Sequence, residues 1–206
     1  MFVKLSKLKK LMKEAYKTCG IRVGHRGAIN GVFEESYYIS AGWWILEYMA
    51  DKMPKELKAA VIELTGELPE PGKQLVAVKD ELPQYEFLSD ALNAQRISEE
   101  SETPYTVSLV IEDRSEKGLR YTYDKNGSVL VVREVLIDLL DNNSVDSDNG
   151  EDYPAGPFAN EERNALVWRN NQSVFVACVY GTEVDTDIEY RKQLGKLLIG
   201  FNKRKG

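Results

Sequence analysis

Histidine and cysteine are nearly absent from this 206-residue chain, which holds one of the first, His25, and two of the second, Cys19 and Cys178. So few thiols do not make a disulfide framework. Both cysteines read as reduced, one at a helix end and one inside an apolar strand. A serine or cysteine nucleophile needs an adjacent base, so catalysis of that type would have to run through His25. Beside Gly24 and Gly27, His25 reads instead as a turn or surface residue. There is no G-x-S-x-G elbow. The glycines of "GIRVGHRG" lack the G-x-x-x-x-G-K-[ST] spacing and the following helix that cradle phosphate. Glu56-Leu57-Lys58 matches the short E-x-K element of a nuclease superfamily, whose chemistry needs it on a strand beside another acid. Here it follows Pro54 on a helical pattern. Long hydrophobic runs are also missing: "SVLVV" and "SVFVACVYG" fall far short of the roughly 20 residues that span a bilayer. The opening "MFVKLSKLKKLMKEAYK" spreads charge through its apolar positions at helical spacing, unlike a secretory leader. A cytoplasmic protein without cofactor or metal is expected.

What is present is a core. The chain is 43% hydrophobic and 10% aromatic, enough for one sizeable core or two small ones. Ser6 reads as an N-cap before the stripe Leu8, Leu11, Met12, Ala15 and Tyr16, closed by Gly20. "GIRVGHRG", "SYYIS" and "WWILEYM" read as strands, the last two joined by a hairpin turn at Ala41-Gly42. Alternation along the last strand puts Trp43, Ile45 and Glu47 on one side and Trp44, Leu46 and Tyr48 on the other. Trp44 is therefore expected in the core, and Trp43 as a partly exposed contact. Pro54, the stripe Leu57, Ala60, Val61 and Leu64, and Gly66 mark a second helix. "QLVAVK" alternates as a strand, and "YEFLSDALNAQ" has helical spacing.

The polar "RISEESETP" reads as a boundary, dividing the chain into an α+β half over 1–95, a linker over 96–104 and a second α+β half over 105–206. The second half has strands at "YTVSLVIED", "GLRYTY" and "SVLVV", a hairpin turn at Asn126-Gly127 and a short helix in "REVLIDLLD". A further hairpin, "NALVW" and "QSVFVACVY", precedes a closing helix with Ile188, Leu194, Leu197, Leu198 and Phe201. The fold class is α+β: mostly antiparallel sheets with helices on one face, arranged as two similar halves.

Charge is unevenly placed. The net charge is −6, with lysines gathered at both ends and acid dominating from Asp80 to Glu162. Residues 141–162, "DNNSVDSDNGEDYPAGPFANEE", read as a long acidic loop. It fails the EF-hand rule: placing Gly150 at the sixth position puts Val145 at the first and Gly156 at the twelfth, where a glutamate is required. Asp146, Asp148 and Asp152 could form a looser oxygen site, but the segment reads as a solvated loop. On the first helix Lys9, Lys13 and Lys17 form a row at i, i+4 spacing, which reads as a solvated face or as a contact to phosphates.

"KLSKLKKLMKEAYK", "SAGWW" and "ELTGELPEPG" resemble stretches of proteins encoded by phages and prophages of Gram-positive gut bacteria. The likeness covers the N-terminal stretch and implies a biological setting, with no activity or functional residue attached. The order of "MFVKL", the first helix and three strands also resembles that of a DNA sliding-clamp half-domain.

The leading expectation is a non-enzymatic interaction protein in a bacterial host's cytoplasm. It would be a phage or prophage accessory factor that inhibits a bacterial nucleic-acid-handling protein. Its contacts would be Trp43, Asp146, Asp148, Glu151 and Asp152, whose carboxylates stand in for phosphates. Direct nucleic-acid binding is not expected, and a homo-oligomer is left open. The alternative is a clamp-like replication accessory protein approaching DNA through Lys9, Lys13, Lys17 and the C-terminal "NKRKG". A third class is a metal-dependent enzyme built from scattered acids.

Overall fold

A computed structural model describes residues 1–27, 35–112, 118–160, 162–180 and 193–200. The fold is α+β. In chain order its elements are α1 (Leu5–Thr18), β1 (Ile21–Arg26), β2 (Ser36–Ser40), β3 (Trp44–Met49), α2 (Lys55–Thr65), β4 (Lys73–Ala77), β5 (Gln84–Phe87), α3 (Ala94–Glu99), β6 (Thr103–Pro104), β7 (Thr106–Glu112), β8 (Leu119–Tyr123), β9 (Val129–Arg133), α4 (Glu134–Ile137), β10 (Ala155–Asn160), β11 (Ala165–Arg169) and β12 (Ser173–Cys178). Residues 193–200 are also helical. Ile188, Phe201 and "NKRKG", expected in the closing helix and the basic C-terminus, lie outside the described residues. No described helix is long and apolar enough to cross a membrane.

A nine-stranded antiparallel sheet runs β5-β4-β1-β2-β3-β12-β11-β10-β6, and a separate three-stranded sheet runs β7-β8-β9. The larger sheet takes strands from both sides of the 96–104 stretch, which itself carries the end of α3 and all of β6. The join is the pairing of β12 with β3, from Ser173↔Tyr48 to Ala177↔Trp44. One face of the sheet is apolar. There Trp44, Leu46, Ile39, Phe175 and Leu166 pack with Leu8, Leu11 and Met12 of α1 and Leu57 and Val61 of α2. The second face is not left bare: Ala94 and Ile97 of α3 cover Tyr38, Ile45, Val167, Val174 and Val176. Helices therefore lie on both faces. The residues 193–200 cover the outer face of the small sheet, where Leu198 packs with Leu119, Tyr121, Val129 and Val131.

Several local expectations shift by a few residues, each for a tertiary reason. The first helix begins at Leu5 with Lys4 as its N-cap and no side-chain cap, so Ser6 lies inside it. The start is set by a tertiary bond, Lys4 N–H to the Leu139 carbonyl at 2.7 Å, beside the Val3–Leu140 bridge. That single bridge stands where the clamp-like order would need a first strand. The hairpin turn is Gly42-Trp43, one residue later than expected: Ala41 N–H donates to the Trp44 carbonyl at 3.3 Å. Gly42 takes the positive φ of 79° that such a turn requires. "QYEF" is a strand, not the start of a helix, because it completes the free edge of β4. The helix comes later, where the Asn93 side chain caps α3 by accepting from Arg96 N–H at 3.0 Å.

His25 is a correction as well. It is buried within β1, stacked on Tyr37 at 4.1 Å, and donates from Nδ1 to the Pro69 carbonyl at 3.0 Å. Its neighbour Gly24 makes no turn. A Cβ there would lie 2.1 Å from the Tyr38 ring, so glycine is present to let that ring cross the strand.

Candidate protein-binding surface

The acidic segment is an anchored loop. It opens on Asp141, whose side chain accepts from Asn143 N–H at 3.1 Å and from the Ser144 hydroxyl at 2.9 Å. Two short 3-10 turns, Asn142–Ser144 and Ser147–Asn149, follow, and β10 takes over at Ala155. At its centre Glu151 is only 4% exposed. Its carboxylate pairs with the Met1 ammonium and accepts from Asp146 N–H at 2.8 Å and Asn170 Nδ2 at 3.0 Å. The β11–β12 turn grips the loop from the other side. Asn171 donates to the Gly150 carbonyl at 2.7 Å and accepts from Asp152 N–H at 3.0 Å, while Gln172 donates to the Asn149 carbonyl at 3.1 Å.

This arrangement separates the four acids expected to act together. Asp146, Asp148 and Asp152 are exposed, whereas Glu151 is spent inside the loop as its fastener. A buried carboxylate needs this many donors because an unpaired one costs several kcal/mol. Glu151 is thus unavailable for contact with a partner. Among the described residues no group of His, Cys, Asp and Glu side chains comes together to hold a metal ion.

Trp43 is half-buried at its turn and packs against the main core, with the Arg133 guanidinium 4.4 Å from its ring centroid. That cation–π contact leaves it a rim position at most. The lysine row is partly spent too: Lys13 pairs with Glu63 of α2 at 2.8 Å, and that contact holds the Glu63 carboxyl below its ordinary range. Lys17 is exposed and Lys9 half-buried. Cys19 and Cys178 are free thiols, and burial pushes the Cys178 thiol up.

A second polar assembly lies under α3, and the alternation of "WILEYM" alone gave no hint of it. Glu47 has no exposed surface, yet it sits in the middle of β3. It accepts from the Ser36 hydroxyl at 2.6 Å, from Gln95 Nε2 at 2.9 Å and from Ala94 N–H at 3.0 Å, the last at the first turn of α3. Arg26 lies 3.6 Å from the same carboxylate, reaches the Ser89 carbonyl at 3.0 Å and covers the Tyr38 ring at 4.9 Å. Tyr38 in turn donates to Gln74, which donates to Glu86 of β5 at 2.7 Å. Burial pushes the Tyr38 phenol up to about 12, against the opposing pull of Arg26. The network docks α3 and ties the edge strand β5 to the middle of the sheet. A signal for it was present: a lone carboxylate in an otherwise apolar strand needs buried partners.

No protein-family model, curated protein or solved structure matches this chain.

Proposed function

We propose that the protein is a non-enzymatic interaction factor that docks its anchored acidic loop against a basic surface of another protein. The partner we infer is a nucleic-acid-handling protein of a bacterial host, in whose cytoplasm this chain would act as a phage or prophage accessory inhibitor. The observation that supports this reading is the buried Glu151 fastener. It holds the backbone that carries Asp146, Asp148 and Asp152, so three exposed carboxylates are presented on a prepared frame. A pre-ordered loop loses less conformational entropy on binding. Spaced carboxylates on such a frame can occupy a groove shaped for phosphates.

The test is affinity capture from host lysate, followed by titration of the captured partner. Changing Asp146, Asp148 and Asp152 together to Asn should weaken binding at least tenfold, with a steep loss as salt rises, because exposed charges are screened over about 10 Å at 0.1 M salt. Labelled duplex DNA should bind poorly. If the partner binds the triple variant unchanged, while neutralising Lys9, Lys13 and Lys17 abolishes binding, the reading fails and the clamp-like one replaces it.

A further inference from the structure

β5 is one of the two outermost strands of the nine-stranded sheet, and among the described residues nothing pairs with its outer edge. Every residue from 79 to 87 is exposed. Within that stretch Leu82 is 88% exposed, Phe87 92% and Tyr85 49%. Edge strands are commonly blunted by short length, charge, proline, a bulge or a covering element, since an open row of N–H and C=O groups recruits other strands; β5 is four residues long and follows Pro83, yet it keeps Tyr85 and Phe87 exposed on that edge. β5 pairs with β4 in unbroken register from Lys73↔Phe87 to Val76↔Gln84, without a bulge. Its fixing is firm. Glu86 accepts from Gln74, Tyr85 bonds Glu67, and Lys73 lies 5.6 Å from the Tyr85 ring.

We propose that the free edge of β5 is a strand-addition site for an extended peptide segment of a partner protein, in which basic and apolar residues alternate. Alternation across a strand places Tyr85 and Phe87 on one face of this edge and Gln84 and Glu86 on the other. An added strand would set its apolar side chains beside the two aromatic rings and its basic ones beside Glu86. Backbone bonds supply affinity in this mode, and alternate side chains supply selectivity. The charge of the edge selects the occupant. Asp80, Glu81, Glu86 and Asp90 are all exposed in or beside the strand, and 80–90 contains no basic residue. A second copy pairing edge to edge would bring these acids together, and like charges across a strand pair are destabilising. Nucleic acid is repelled for the same reason. The surface shares no residue with the 141–154 loop, so either can fail without the other.

The experiment uses the full chain and two synthetic strand peptides, one alternating lysine with valine and one alternating glutamate with valine. The readouts are fluorescence anisotropy and residue-resolved amide exchange. The lysine peptide should bind, should slow exchange of the outward-facing β5 amides, and should leave those of β11 and β12 unchanged. The glutamate peptide should not bind. Phe87→Ser and the pair Glu81→Lys with Asp90→Lys alter exposed side chains, so folding should survive. Each should weaken the lysine peptide at least tenfold, while the Asp146, Asp148 and Asp152 triple variant should not. Binding of both peptides alike, protection away from β5, or no binding would each overturn the proposal. So would a concentration-dependent dimer in sedimentation that Phe87→Ser abolishes, which would make a second copy the occupant.

Discussion

The two faces of the nine-stranded sheet are closed by different physics. Under α1 and α2, Trp44, Leu46, Ile39 and Phe175 form an apolar contact that needs volume and area but little directionality. Under α3, the carboxylate of Glu47 is sealed by Ser36, Gln95 and the Ala94 amide, with Arg26 close by. The first closure should tolerate hydrophobic replacement of similar size. The second depends on each donor meeting its acceptor, since a half-satisfied buried network is worse than none. β3 supplies both faces. Alternation decides which side chains share a face, and the covering element decides what each face must be made of.

Breaking the apolar face should give the largest effect: Trp44→Ala should cost about 3–5 kcal/mol in denaturant unfolding, as truncation of a buried aromatic does. On the polar face Glu47→Gln keeps the volume but offers a donor where donors already point. It should cost about 1–3 kcal/mol. Amide exchange should accelerate in α3 while α1 stays protected, and equal acceleration in both would refute the separation of the faces. Tyr38 gives a pH test. Its folded value of about 12 lies above the ordinary 10, so the fold favours the protonated phenol. That contribution is complete below pH 10 and is lost as pH rises through about 12. Stability should fall over that window, and Tyr38→Phe should flatten the fall in part, since burial raises Tyr48 as well.

Trp43→Ala should cost less than Trp44→Ala by a wide margin, about 1 kcal/mol, for loss of a half-buried ring and its Arg133 contact. A loss as large as that of Trp44→Ala would mean that the turn residue belongs to the core. The smallest effect is expected outside both faces. Replacing Asp146, Asp148 and Asp152 with Asn should shift stability by no more than about 0.5 kcal/mol, as solvated side chains do. Glu151→Gln in the same loop should cost clearly more, because it weakens the fastener.

Elements with strong local signals were legible from the residues alone. The Leu8–Leu11–Met12–Ala15 stripe made α1, and Pro54 with Leu57, Ala60 and Val61 made α2. Asn126-Gly127 made the β8–β9 turn, in which Asp124 accepts from Ser128 N–H at 2.7 Å. Periodicity, caps and turn chemistry act over a few residues, so they can be read locally. Trp44 followed from the same logic, through the apolar continuity of its face. The pairing of β12 with β3, the edge strand at "QYEF" and the seating of α3 on the second face arise from long-range contacts. Each needed a free strand edge or a donor supplied from far along the chain. Glu151 shows the limit most plainly. Its neighbours in sequence are those of a solvated loop, and it is buried because the ammonium that neutralises it comes from 150 positions away.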